Sequence, residues 1–239
     1  MSQASPGCDL AGARVLACRV FQPELSSLGV GEDRVVYLDQ GLHRYPDQLR
    51  LELGKALADL ESDPSVERVI LGYGFCGGGM QGIKSSRASL VLPLAHDCVP
   101  LLLGRAQADP CVGCGGTFYL TPGWIDHGQT PYSEYFATRE RFGHEDALWV
   151  GEQMLAGYHQ VSLVDTGVGL LPHHRSYARD MARLFGLAYH EQRGHRDWLR
   201  RLLGGRPDPG LALISPGETV DISLYPQAQR PPVESGSDA

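Results

Sequence analysis

Short apolar runs alternate with helix-like segments along nearly the whole chain, and this alternation most constrains what it can fold into. The runs are ARVLAC (13–18), RVVYLD (34–39), RVILGY (68–73), SLVLPL (89–94), TFYLTP (117–122), QVSLVD (160–165) and LALISP (211–216). Most are continuous rather than alternating, the pattern of strands buried on both faces of a parallel sheet. Between them lie segments with helical spacing: 46–62, which opens on Pro46, then 97–108, 131–157, 173–187 and 195–204. Pro46 suits a first helical turn, where its missing N–H costs nothing. Strand–helix alternation of this kind predicts an α/β fold: an open, mostly parallel, doubly wound sheet of about six or seven strands in a Rossmann-like three-layer arrangement. No linker divides the chain, so residues 12–225 read as a single domain. Residues 1–11 and 226–239, the latter PQAQRPPVESGSDA, read as disordered ends.

Ligands of an open parallel sheet bind at the carboxyl ends of its strands, and here those ends carry chemistry. The first strand ends at Cys18. The second runs into Asp39 and His43, and the third into Tyr73 and GFCGGG with Cys76. The fourth runs into His96, Asp97 and Cys98. Three cysteines far apart in sequence are thus expected at one sheet edge. Cys98 falls at a predicted helix start, where free N–H groups lower a thiol pKa. Gly74, Gly77, Gly78 and Gly79 around Cys76 let the backbone approach a bulky group or adopt positive φ.

Any one of these cysteines, taken alone, reads as a packed core residue. All three at one edge, with two histidines beside them, read as a joint site. The chain has 239 residues, six cysteines and a net charge of −7. It shows no basic stripe for nucleic acid, no apolar run of membrane-spanning length and no signal-peptide pattern. A cytoplasmic protein with reduced thiols is expected, in which such clusters serve metal or thiol chemistry. Cys111 and Cys114 form a Cys-x-x-Cys without a second pair and read as incidental, and Cys8 lies in the expected disordered start. His173 and His174 read as a solvated helix start.

The segments LAC (16–18), LDQGLHRYPDQLR (38–50), ILGYGFCGGGMQGIKS (70–85), LVLPLAHDCVPLLLG (90–104), GTFYLTPGW (116–124) and VDTGVG (164–169) resemble domain-of-unknown-function family 1638. Phe75 and Gly78 stand where the family pattern has Leu and Asn, and the Cys-x-x-Cys is not part of that pattern. Members of the family often occur near corrinoid-dependent methyl-transfer proteins. The resemblance therefore implies a role beside anaerobic one-carbon metabolism, with a corrinoid or methyltransferase protein as partner.

The donor set suits two occupants. One is a 4Fe–4S cluster held by Cys18, Cys76 and Cys98 with one iron open, the favoured expectation. The other is zinc on the same cysteines, with His43 or His96 or an open position. His43, His96 and Asp97 would serve as auxiliary ligands or proton-transfer groups for a small sulfur- or methyl-bearing ligand. Two alternatives are a metal-free enzyme using Cys98 as nucleophile with His96, and a non-enzymatic carrier of metal, cluster or corrinoid.

Overall fold

The computed structural model describes residues 10–104 and 116–225. Cys8, Cys111, Cys114 and both expected disordered ends (but for residues 10 and 11) lie outside them, as does the C-terminal part of the predicted helix 97–108.

The fold is α/β. Among the described residues it has eight strands in two sheets with helices on both sides. The larger sheet has the order β2-β1-β3-β4-β8, formed by β2 (Val35–Leu38), β1 (Ala13–Cys18), β3 (Arg68–Gly72), β4 (Ser89–Pro93) and β8 (Leu211–Ile214). The first four run parallel, and β8 closes the edge antiparallel to β4, Val91 facing Leu213. The smaller sheet is parallel throughout: β5 (Thr117–Leu120), β6 (Gln160–Asp165) and β7 (Ala188–Arg193).

All seven predicted strands form, but they divide between two sheets instead of lining up in one. Strand β7, AYHEQR, is the addition. It is an outer strand with its side chains mostly in water, so its sequence is polar and carries no apolar run. The segment 131–157 breaks into α5 (Pro131–Phe142) and α6 (His144–Met154) at Gly143, whose φ of 91° ends the first helix. The other helices are α1 (Gln22–Ser27), α2 (Pro46–Glu61), α3 (Val99–Leu103), α4 (Pro122–His127), α7 (Pro172–Leu184) and α8 (Asp197–Gly204).

The main core packs the central strands against α2 and α8. Leu16, Ile70, Leu71, Leu90 and Leu92 meet Leu49, Leu53, Leu57 and Leu202, all sealed from solvent. Buried Glu24 on α1 joins the halves, accepting a 2.7 Å hydrogen bond from the Thr166 hydroxyl just beyond β6.

Candidate functional site

The chain leaves β1 for β2 on one side and then crosses to β3 on the other. The larger sheet therefore reverses its winding between β1 and β3, which opens a crevice at their carboxyl ends. A cavity of about 450 Å3 lies there. Cys18 ends β1, Cys76 follows β3 and Cys98 follows β4, and all three line it together with Asp39, His43, Tyr73, Gly77 and Asp97. The smaller sheet and its helices supply the other wall: Phe118, Trp124, Gln129, Pro131, Met154 and Tyr158.

The Cys76 loop has an unusual backbone. Cys76, Gly77 and Gly78 have φ of 48°, 63° and 98° in succession. Cys76 is the sole non-glycine residue with positive φ among the described residues, a conformation that costs an L-residue about 1–2 kcal/mol. Neighbouring contacts hold it there. The Phe75 and Cys76 N–H groups donate to the Ala95 and His96 carbonyls at 2.8 and 3.0 Å, tying the loop after β3 to the loop after β4. Arg50 on α2 donates to the Gly78 carbonyl at 3.1 Å.

The glycines divide by task. Only Gly77 of the four lines the cavity. A Cβ on Gly74 would lie 2.5 Å from the Asp97 backbone, and one on Gly79 would lie 2.5 Å from Leu49 Cδ2. These two permit close packing of the loop, and Gly78 supplies positive φ.

The thiols are held away from water. Cys18 and Cys98 are 8% and 9% exposed, and Cys76 is half-buried. Burial is the main reason their pKa values rise. Cys18 is pushed up to about 11, against hydrogen bonds from the backbone at Val20 and Arg19 that favour the thiolate. Cys76 rises through burial, then the nearby charges of Cys18 and Asp97. Cys98 rises through burial, then Asp97, Cys76 and Cys18. The helix start does not activate Cys98: α3 has five residues, and its free Val99 N–H donates to Asp97 Oδ1 at 2.8 Å. Desolvation outweighs the dipole.

Three buried donors near these sulfurs lack an acceptor, one of them the Tyr225 hydroxyl, whose pKa is raised by burial and then by Cys76. The Tyr73 hydroxyl has no partner and is 3% exposed; its own pKa is raised by burial and then by all three cysteines, which places it among them. The Trp124 indole N–H reaches no acceptor within hydrogen-bond distance, yet it lies near enough to Cys98 to favour its thiolate.

His43 sits under Trp124, ring centroids 5.8 Å apart. Its Nδ1 lies 2.7 Å from the Gln40 carbonyl and 2.8 Å from the Gln40 side-chain nitrogen, so Gln40 takes up that side of the ring. Burial keeps its pKa below the ordinary value. Asp39 accepts from the Gly41 N–H at 2.7 Å. His96 is not among the cavity's lining residues; it turns to Asp97, Nδ1 to Oδ2 3.5 Å, which raises its pKa.

Sequence reasoning missed the aromatic wall, although TPGW marks it. The Thr121 hydroxyl accepts from the Trp124 backbone N–H at 3.3 Å and caps α4, with Pro122 at the first turn. A Cβ on Gly123 would lie 1.9 Å from the Val20 carbonyl oxygen. Only glycine there lets α4 press against the turn after Cys18 and deliver Trp124.

A second polar cluster stands apart from the cavity lining. Among the described residues, Asp126, His173 and His174 alone gather three potential ligand atoms within 4.8 Å of one another. His173 and His174 reach Asp126 through Nε2 at 3.0 and 3.1 Å. His174 is not the solvated residue expected: it is 2% exposed, and its Nδ1 accepts the Leu171 N–H at 3.0 Å. That acceptance puts the neutral ring's proton on Nε2, where it is donated to Asp126. Both nitrogens are spent, so the cluster acts as a clamp between α4 and α7.

Residues 37–203 match the family described as a protein of unknown function, DUF1638. The chain belongs to this family. The matched span carries Asp39, His43, Cys76, Asp97, Cys98 and Trp124, while Cys18 precedes it. Comparison with curated proteins and with solved structures returns no match. Among the described residues no helix is long and apolar enough to cross a membrane.

Proposed function

We propose that this DUF1638 protein binds a metal centre on Cys18, Cys76 and Cys98, a 4Fe–4S cluster in preference to zinc, and presents it to a small sulfur- or methyl-bearing ligand. The observation that carries this reading is the convergence of three buried or half-buried thiols on one cavity, with orphaned buried donors near them. Protonated thiols are poor acceptors, so the Tyr73 O–H and the Trp124 indole N–H stay unpaired. Thiolates bound to a metal would satisfy both. Burial makes free thiolates unfavourable at neutral pH, and a cation in their midst reverses that preference.

The glycine-rich, positive-φ backbone around Cys76 leaves room for a bulky group and so favours the larger cluster over a single zinc ion.

Held by three cysteines, such a cluster would leave one iron for a small ligand. His43 and Asp97 face the same space and supply groups that can hold or move a proton at that ligand. His96, turned toward Asp97, sets the orientation of that carboxylate. The corrinoid or methyltransferase partner rests on the family resemblance alone. The elevated thiol pKa of Cys98 speaks against a metal-free nucleophile.

Anaerobic purification with iron, zinc and acid-labile sulfide analysis tests the reading. Near-stoichiometric iron with sulfide, lost in Cys76→Ser while the circular dichroism of the fold persists, is expected. Full metal stoichiometry in Cys76→Ser, or a wild-type protein without iron or zinc, overturns it.

A further inference from the structure

The cavity is larger than a metal centre alone requires. At about 450 Å3 it falls in the range of sites that enclose a small organic molecule. Its walls differ in character. Phe118, Trp124, Met154 and Tyr158 form an apolar side contributed by the smaller sheet and its helices. Asp39 and Asp97 also line the cavity, and each has one carboxylate oxygen engaged by a backbone N–H, Gly41 at 2.7 Å and Val99 at 2.8 Å.

Arg44 completes the lining and has no ion pair or hydrogen bond among the described residues. It is half-buried, two residues before the start of α2 and beside His43. Arg44 differs from arginines such as Arg50, held by Asp47 and Gly78, and Arg87, held by the carbonyls of Glu61 and Asp63, in lining the cavity with its guanidinium uncommitted. A guanidinium left free at the rim of a partly apolar cavity offers a planar fork of donors matched to a carboxylate.

We infer that the cavity binds a small organic carboxylate, its acid group on Arg44 and its apolar body along Phe118, Trp124 and Tyr158, with its far end reaching the cysteines. This names the ligand class of the site proposed above and rests on that reading only for what happens at the sulfurs. The contacts to Arg44 and the aromatic wall make no use of the metal.

The test uses the full-length protein, purified anaerobically, with phenylacetate as probe and phenylacetamide as its neutral counterpart. Binding is followed by calorimetry, and metal content is measured on the same preparation. Phenylacetate should bind about tenfold more tightly than the amide. Arg44→Gln should erase that preference, and Arg44→Lys should retain part of it. Arg34→Gln, which removes a cation outside the cavity lining paired with Asp33, should leave it intact. Equal binding of acid and amide, binding of neither, or an acid preference that survives Arg44→Gln overturns the inference. Metal in place with no acid preference defeats this inference alone. Acid preference in a metal-free protein supports it and defeats the metal reading alone.

Discussion

Gly74 and Asp97 are in backbone contact: a Cβ on Gly74 would lie 2.5 Å from both the Cα and the carbonyl carbon of Asp97. The loops carrying Cys76 and Cys98 therefore close on each other only because residue 74 has no side chain. Gly74→Ala should force them apart, destabilising the protein by about 1–3 kcal/mol as overpacking does. It should also lower the metal content of anaerobically purified protein. Chemical denaturation and metal analysis check both effects. An alanine variant with wild-type stability and full metal content would refute the tight seam.

Cys76 holds a φ of 48°, so its cost to the backbone can be separated from its service as a ligand. Cys76→Ala and Cys76→Gly both remove the thiol, but only glycine relieves the strain. Metal-free Cys76→Gly should therefore be more stable than Cys76→Ala by about 1 kcal/mol. Urea midpoints measured side by side decide it; equal midpoints would mean that the loop relaxes once the thiol is gone.

The edge chemistry was legible in the sequence because it depends on strand order alone. Cys18, Cys76 and Cys98 each follow a buried apolar run, and β1, β3 and β4 are neighbours in the larger sheet. Division into two sheets was not legible, since β5 and β6 read as the same kind of buried strand wherever they pair. The aromatic wall was hidden for a related reason. Trp124 and Tyr158 reach the cavity through packing between the halves, which no local pattern encodes, whereas Gly123 and Thr121 leave a trace in TPGW. His96 is adjacent to Asp97 in sequence yet absent from the cavity lining, because the turn before α3 directs one residue inward and the other toward its neighbour's carboxylate.

Glu61 at the end of α2 gathers the loop that leads into β4. Its carboxylate accepts from the Ser85 hydroxyl at 2.6 Å and from the backbone N–H groups of Ser86, Arg87 and Ala88 at 3.2, 2.6 and 2.9 Å. Burial opposes ionisation, but these hydrogen bonds prevail and hold the pKa at about 2, below the ordinary 4.5. A depressed folded-state pKa means that the stabilisation is complete above pH 4.5 and is lost as pH falls toward 2. Glu61→Gln should cost about 1–2 kcal/mol at pH 7. The gap between wild type and variant should shrink steadily from pH 5 to pH 2 in thermal melts. A gap that stays constant over that range would show that the carboxylate's charge contributes nothing.

His174 distinguishes a structural clamp from a second metal site. Its Nδ1 is the acceptor for the Leu171 N–H, and its Nε2 meets Asp126 at 3.1 Å while its ring is almost fully enclosed. His174→Phe keeps the ring volume but strands a backbone donor and half of the Asp126 partnership. Stability should fall by about 1–3 kcal/mol, the cost of an unsatisfied buried group. Asp126 bears Trp124 on the same short helix, so the variant should also alter tryptophan emission as α4 loosens from α7. Metal content should stay at the wild-type level, because the ligands proposed here are Cys18, Cys76 and Cys98. Loss of one metal equivalent in His174→Phe, with the three cysteines intact, would instead make Asp126, His173 and His174 the metal site.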